Sequence, residues 1–144
     1  MRGQRGFTLL EILIALSIVS ILAVVAVPIY LNYEVRAKIS EGFAVAAPVK
    51  EMVIEYHTTT GTWPASNVEA AVGAPNNYKS DYVDSISVIG NAAGAAITIT
   101  YSIPALGANN TIILTPKNPA ANIIRWSCAQ GTVLNKYRPA TCKS

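Results

Sequence analysis

Residues suited to chemistry are scarce in this chain of 144 residues. Histidine occurs once, as His57, at the end of a helical pattern and beside three threonines. No serine or cysteine nucleophile is arranged around it, so an enzyme reading finds no support, and His57 is assigned to the helix dipole instead. Cysteine occurs twice, as Cys128 and Cys142, at a spacing that is neither C-x-x-C nor accompanied by a histidine cluster. Metal and thioredoxin-like readings are therefore poor. Asp81 and Asp84 are too sparse for a calcium loop. No catalytic residue, metal ligand set or cofactor is expected.

Charge is the next shortage. Charged residues make up 13% of the chain and hydrophobic ones 51%, which excludes a disordered segment and points to a globular part plus a membrane-associated one. The few charges are also segregated. All eight carboxylates lie between Glu11 and Asp84; beyond Asp84 only Lys117, Arg125, Lys136, Arg138 and Lys143 carry charge. Such a basic C-terminal third reads either as a solvated face or as a patch for an acidic surface or nucleic acid. Arg125 beside Trp126 suits a base-stacking platform, but a core-facing tryptophan is the simpler reading.

What the chain does have is one long apolar run. From Ile12 to Ile29 there are 18 consecutive uncharged residues, interrupted only by Ser17, Ser20 and Pro28. As a helix that run is about 27 Å long, against a hydrocarbon core roughly 30 Å thick. Extended from Phe7 to Leu31, it spans a bilayer. From Asn32 the pattern turns amphipathic: Ile39, Phe43, Ala46, Val49, Val53 and Tyr56 form a stripe spaced by three or four, with Glu34, Lys38, Glu41 and Glu51 away from it. Glu34 and Lys38 are placed as an i,i+4 pair. Pro28 and Pro48 each remove a helical N–H, so kinks are expected near both, and Gly42 is a third soft point.

The second half reads as strands. Ile97, Ile99, Tyr101 and Ile103 alternate with Thr98, Thr100 and Ser102, as in an antiparallel strand buried on one face. Ser85–Ile89, Asn110–Thr115 and Ile123–Cys128 are the other expected strands, with turns at Gly90-Asn91, Gly107-Ala108-Asn109 and Pro116-Lys117-Asn118. The expected fold is α+β: a long kinked N-terminal helix packed on an antiparallel sheet of about four strands. The expected divisions are 1–6, a basic leader; 7–31, the apolar half of the helix; 32–57, its amphipathic half; 58–84, a loop rich in Thr, Gly, Pro and Asn; 85–127, the sheet; and 128–144, the cysteine-bounded end. If the segment beyond the helix lies outside the cytoplasm, a disulfide is its default state; the alternative is two buried free thiols.

The N-terminus is the most informative stretch. Arg2 and Arg5 before an apolar run hold the leader in the cytoplasm and send the C-terminal bulk across. A secretory signal would be cut after its apolar stretch; Val24-Val25-Ala26 offers such a site, but Pro28 follows closely and Glu11 stands inside the apolar region. A carboxylate within a membrane helix costs about 3 kcal/mol at the helix centre unless paired, which makes Glu11 a functional candidate. A cut between Gly6 and Phe7 creates an α-amine four residues before it, and that amine pairs either within the chain or with a neighbour.

Gly6-Phe7-Thr8-Leu9-Leu10-Glu11 resembles the class III leader of type IV pilins and pseudopilins. The resemblance implies cleavage after Gly6 by a prepilin peptidase, N-methylation of Phe7, and assembly through Thr8 and Glu11, with Glu11 complementing the Phe7 amine of the adjacent subunit. Pro28 and Pro48 fall where pilins of this kind have helix-kinking prolines, and Cys128 with Cys142 is similar to the disulfide-bounded end of major pilins. The implied function is that of a filament subunit supporting adhesion, twitching motility and DNA uptake. Its implied partners are further copies of itself, the inner-membrane assembly machinery, an outer-membrane secretin channel, host or abiotic surfaces and DNA. The implied location is the inner membrane with a periplasmic domain, then an extracellular pilus. Alternatives are a minor pilin, a type II secretion pseudopilin or a membrane-tethered periplasmic binding domain.

Overall fold

The computed structural model of the chain describes residues 6–91, 94–117 and 124–143. Among these residues a single helix, α1 (Leu9–Thr60), is followed by four strands: β1 (Val83–Asn91), β2 (Gly94–Tyr101), β3 (Thr111–Lys117) and β4 (Arg125–Gln130). Three short 3-10 turns, Pro75–Tyr78, Pro104–Leu106 and Ala140–Cys142, punctuate the connections. The chain divides into two units, residues up to Glu34 and residues from Val35 onward.

In the first unit α1 is apolar all round and buries nothing. Every described residue from Gly6 to Leu31 is exposed. A helix with no polar face has no preferred side to turn towards a core, which is the signature of a helix surrounded by apolar material on all sides.

From Val35 the helix acquires a face. Val35, Ile39, Gly42, Ala46, Val49 and Val53 are buried at spacings of three and four. The expected stripe is thus correct at Ile39, Ala46, Val49 and Val53, whereas Phe43 and Tyr56 are only half-buried. Gly42 takes the place expected of Phe43, and the reason is Tyr101. The Tyr101 hydroxyl donates to the Ile39 carbonyl at 3.0 Å. Its ring lies so close that a Cβ on residue 42 would stand 2.6 Å from the ring carbons. Gly42 is therefore a close-approach site rather than a soft point, because real Cβ contacts do not come that near.

The sheet order is β1-β2-β3-β4, every pair antiparallel. Two apolar rows cross it: Ile86 opposite Ile99 opposite Ile112, and Val88 opposite Ile97 opposite Leu114. All six side chains are buried, at roughly 1.5–3 kcal/mol each relative to exposure. The alternation expected from Ile97 to Tyr101 is observed. Ile103 is buried too, but it lies beyond the strand, where Pro104 opens a 3-10 turn.

Two expected turns belong to strands instead. Gly90 and Asn91 continue β1, so the β1–β2 reversal falls on residues 92–93, outside the described residues. Pro116 and Lys117 continue β3 and pair with Trp126 and Arg125. Proline is tolerated there because pairing with β2 ends at Leu114, which leaves Pro116 paired on one side only. Of the expected Ile123–Cys128 strand, Ile123 lies outside the described residues, and β4 runs from Arg125 to Gln130. The turn at Gly107 is as expected, with a φ of 55° that favours glycine.

Candidate functional site

The N-terminus of α1 is built as a capping box. Thr8 stands just before the first helical residue, and its hydroxyl oxygen accepts the Glu11 backbone N–H at 3.3 Å. Glu11 reaches back: its Oε2 accepts the Thr8 backbone N–H at 3.2 Å and the Thr8 hydroxyl at 3.1 Å. The T-x-x-E spacing satisfies two donors that the first helical turn would otherwise leave open. The carboxylate also sits at the positive end of the helix macrodipole. Oε1 of Glu11 accepts no hydrogen bond among the described residues, and Phe7 beside it is 81% exposed. One carboxylate oxygen thus orders the cap while the other remains available.

Gly6 is exposed, and a Cβ there would meet nothing within 4 Å. Residues 1–5, which carry most of the expected leader, lie outside the described residues. Pro28 and Pro48 are both exposed positions within α1, and the helix runs through each of them without interruption. Lacking an N–H, the two prolines leave the carbonyls of Val24 and Ala44 without their helical donors.

At the other end of the chain Cys128 and Cys142 form a disulfide, closing a loop with a sequence separation of 14. That resolves the choice between a bridge and two free thiols. The α1 segment Leu9–Thr60 is long and apolar enough near its N-terminus to cross a membrane.

These features have counterparts in known sequences. Residues 35–143 match the profile of the Pilin family (bacterial filament), and residues 1–27 match the prokaryotic N-terminal methylation motif. The chain is 36% identical to fimbrial protein EcpC of Eikenella corrodens, over 98% of this chain and 92% of that one. It is 34% identical to a fimbrial protein of Neisseria meningitidis serogroup B, over 95% of this chain and 79% of that one. It is 28% identical to the type IV major pilin protein PilE of Neisseria gonorrhoeae, over 97% and 94%. The chain belongs to the type IV pilin family.

This pilin is thus a structural subunit by family, not a member of an enzyme family. Its methylation motif and apolar helix fit a membrane-anchored precursor and an extracellular pilus. Several residues of the head, the unit from Val35 onward, make contacts that the sequence did not announce. Glu41, placed away from the apolar stripe, accepts the Ser80 hydroxyl and the Tyr82 N–H (3.3 Å) and so fastens the loop after the helix. Asn67 is buried; its amide donates to Ile86 O at 3.0 Å and accepts from Val88 N at 2.6 Å, completing hydrogen bonds on the free side of β1.

Arg138, counted among the surface cations of the C-terminal third, is buried. Its guanidinium donates to the carbonyls of Val133 (2.7 Å), Gly131 (2.7 Å) and Ala129. The planar fork of arginine spreads its donors over three nitrogens, one for each carbonyl, whereas lysine offers all its donors from a single atom. The disulfide loop of this pilin is held from within by that cation. Arg36 adds a tether from α1, donating to Lys136 O at 3.1 and 2.8 Å. His57 stacks on Trp63 with ring centroids 3.8 Å apart and planes 4° from parallel. Trp63 is buried, and His57 is its stacking partner. Trp126 also packs against the core, as expected.

Proposed function

We propose that this chain is processed after Gly6, methylated at Phe7 and polymerised into a pilus through its N-terminal helix. The observation that carries this reading is the exposure of every described residue from Gly6 to Leu31, an apolar surface that nothing in the first unit covers. Soluble monomers rarely expose apolar patches beyond a few hundred Å². Lipid covers such a helix in the precursor, and neighbouring copies of the same helix cover it in a filament. Gly6 supports the cleavage reading because the described structure places no packing demand on that position. The demand for glycine is then that of a peptidase.

Removal of Arg2 and Arg5 leaves nine basic and eight acidic side chains. The new Phe7 amine needs a carboxylate once it enters an apolar filament core, and Glu11 presents a free Oε1 beside its capping oxygen. An amine of an adjacent subunit that reaches this oxygen couples cleavage to assembly. The filament then serves adhesion, twitching motility and DNA uptake, leaving the cell through an outer-membrane secretin.

The test is Glu11→Gln alongside Glu11→Ala. Alanine removes both the cap and the charge, whereas glutamine keeps a capping side chain and removes only the charge. Both variants are expected to insert and to lose the leader normally, yet to yield no filaments in electron micrographs. Normal piliation in the glutamine variant would overturn the pairing role of Glu11.

A further inference from the structure

Two surfaces of unlike charge lie on the head. The first is a cavity of about 330 Å³ between the last turns of α1 and the loop that follows it. Met52, Ala70 and Ala71 give it apolar walls, Thr59 a hydroxyl, and Glu55 and Glu69 two carboxylates; no basic side chain lines it. Glu69 already receives the Ala65 N–H at 2.8 Å through one oxygen. The loop that carries Glu69 is attached to the β1 edge of the sheet through Asn67.

The second surface is on the β3–β4 edge. Lys117 and Arg125 are cross-strand partners, both exposed. Like charges placed opposite one another in a sheet are destabilising. Among the described residues no carboxylate forms a salt bridge with either, and none follows Asp84 in the chain. This repulsion is an unrelieved cost in the single chain.

We propose that the Glu55/Glu69 cavity receives the Lys117/Arg125 pair of an adjacent copy of this chain. The apolar walls suit the methylene stem of a long basic side chain, and the carboxylates suit its head. Among the described residues no salt bridge joins the two surfaces within one chain. A contact between two different patches of identical subunits is heterologous, and a heterologous contact that does not close makes an open helical filament. The segregation of acids before Asp84 and bases after it thereby becomes a keying device for the heads. The inference rests on the polymerisation proposed above and adds a specific head-to-head contact to it.

The experiment uses the full chain, in filaments sheared from cells, with Glu69→Cys and Arg125→Cys introduced together. A disulfide requires Cα atoms within about 7 Å, and only a bond between different subunits raises the mass on a non-reducing gel. Mild oxidation is expected to give a ladder of dimers, trimers and higher multimers on a non-reducing gel, with each single variant remaining monomeric. Filaments that form normally but give no ladder overturn the head contact while leaving polymerisation intact, and assign the cavity to another occupant. Dimers from Glu69→Cys alone also overturn it, because the cavity then faces its own copy. Should the double-cysteine chain not assemble, charge exchange decides. Glu69→Lys is expected to lower the yield of sheared filaments several-fold and Arg125→Glu in the same chain to restore it; no restoration overturns the proposal.

Discussion

At the scale of single residues, the informative positions are those where a side chain is in the wrong solvent. Glu11 is legible in the sequence because a carboxylate in an apolar run is an anomaly whatever the fold. Its bond to Thr8 is legible too, since T-x-x-E at the start of a helix is a capping signature. Arg138 is not legible. Nothing in a sequence distinguishes an arginine that points to water from one whose fork is filled by the carbonyls of Val133, Gly131 and Ala129. Gly42 is similarly opaque, because its cause is a tyrosine ring 59 positions further along the chain.

Tyr101 supports a prediction at this scale. Its phenol is buried, and desolvation raises its pKa well above the ordinary tyrosine value of about 10. A group whose pKa is raised on folding stabilises the native state below its unfolded pKa and loses that contribution as pH rises towards the folded value. The head is therefore expected to keep its stability up to about pH 10 and to lose it progressively above. Thermal melts of the full chain in detergent across alkaline pH check this. Tyr101→Phe should flatten the alkaline decline while lowering stability at neutral pH through loss of the bond to Ile39 O.

At the scale of elements, periodicity carried most of the information. The buried positions of α1 at Ile39, Ala46, Val49 and Val53 and the alternation of β2 follow from side-chain spacing alone. Where reading by pattern failed, long-range pairing had overruled a local signal. Gly90 and Pro116 look like turn residues, yet strand partners hold both in the ladder. A Cβ at residue 90 would stand 3.1 Å from the Pro64 carbonyl carbon, so that glycine answers to a loop packed over it and not to a turn. The disulfide loop belongs to this scale as well. Replacing Cys142 by serine opens a loop closed by the Cys128–Cys142 bond and should cost about 3 kcal/mol, by loop-closure entropy alone. A lowered melting temperature of the full chain and reduced piliation are the expected readouts. Unchanged melting would mean that Arg138 and its three carbonyls hold the loop without the bridge.

At the scale of the molecule, two properties set what the chain does. One is an apolar helix half with no face of its own, which must be surrounded by lipid or by copies of itself. The other is a head whose charges are divided between its beginning and its end. The first was legible as an uncharged run; the second was visible as a count but had no geometry until the sheet order separated β1 from β4. Both properties point to assembly, which the proposed cut after Gly6 would begin by exposing the Phe7 amine. Intact-mass and N-terminal peptide mass spectrometry of sheared filaments tests that step directly. The account predicts a subunit lacking Met1–Gly6 and carrying one added methyl group on Phe7; filaments built from the uncut chain, or from a chain cut near Ala26, would contradict it.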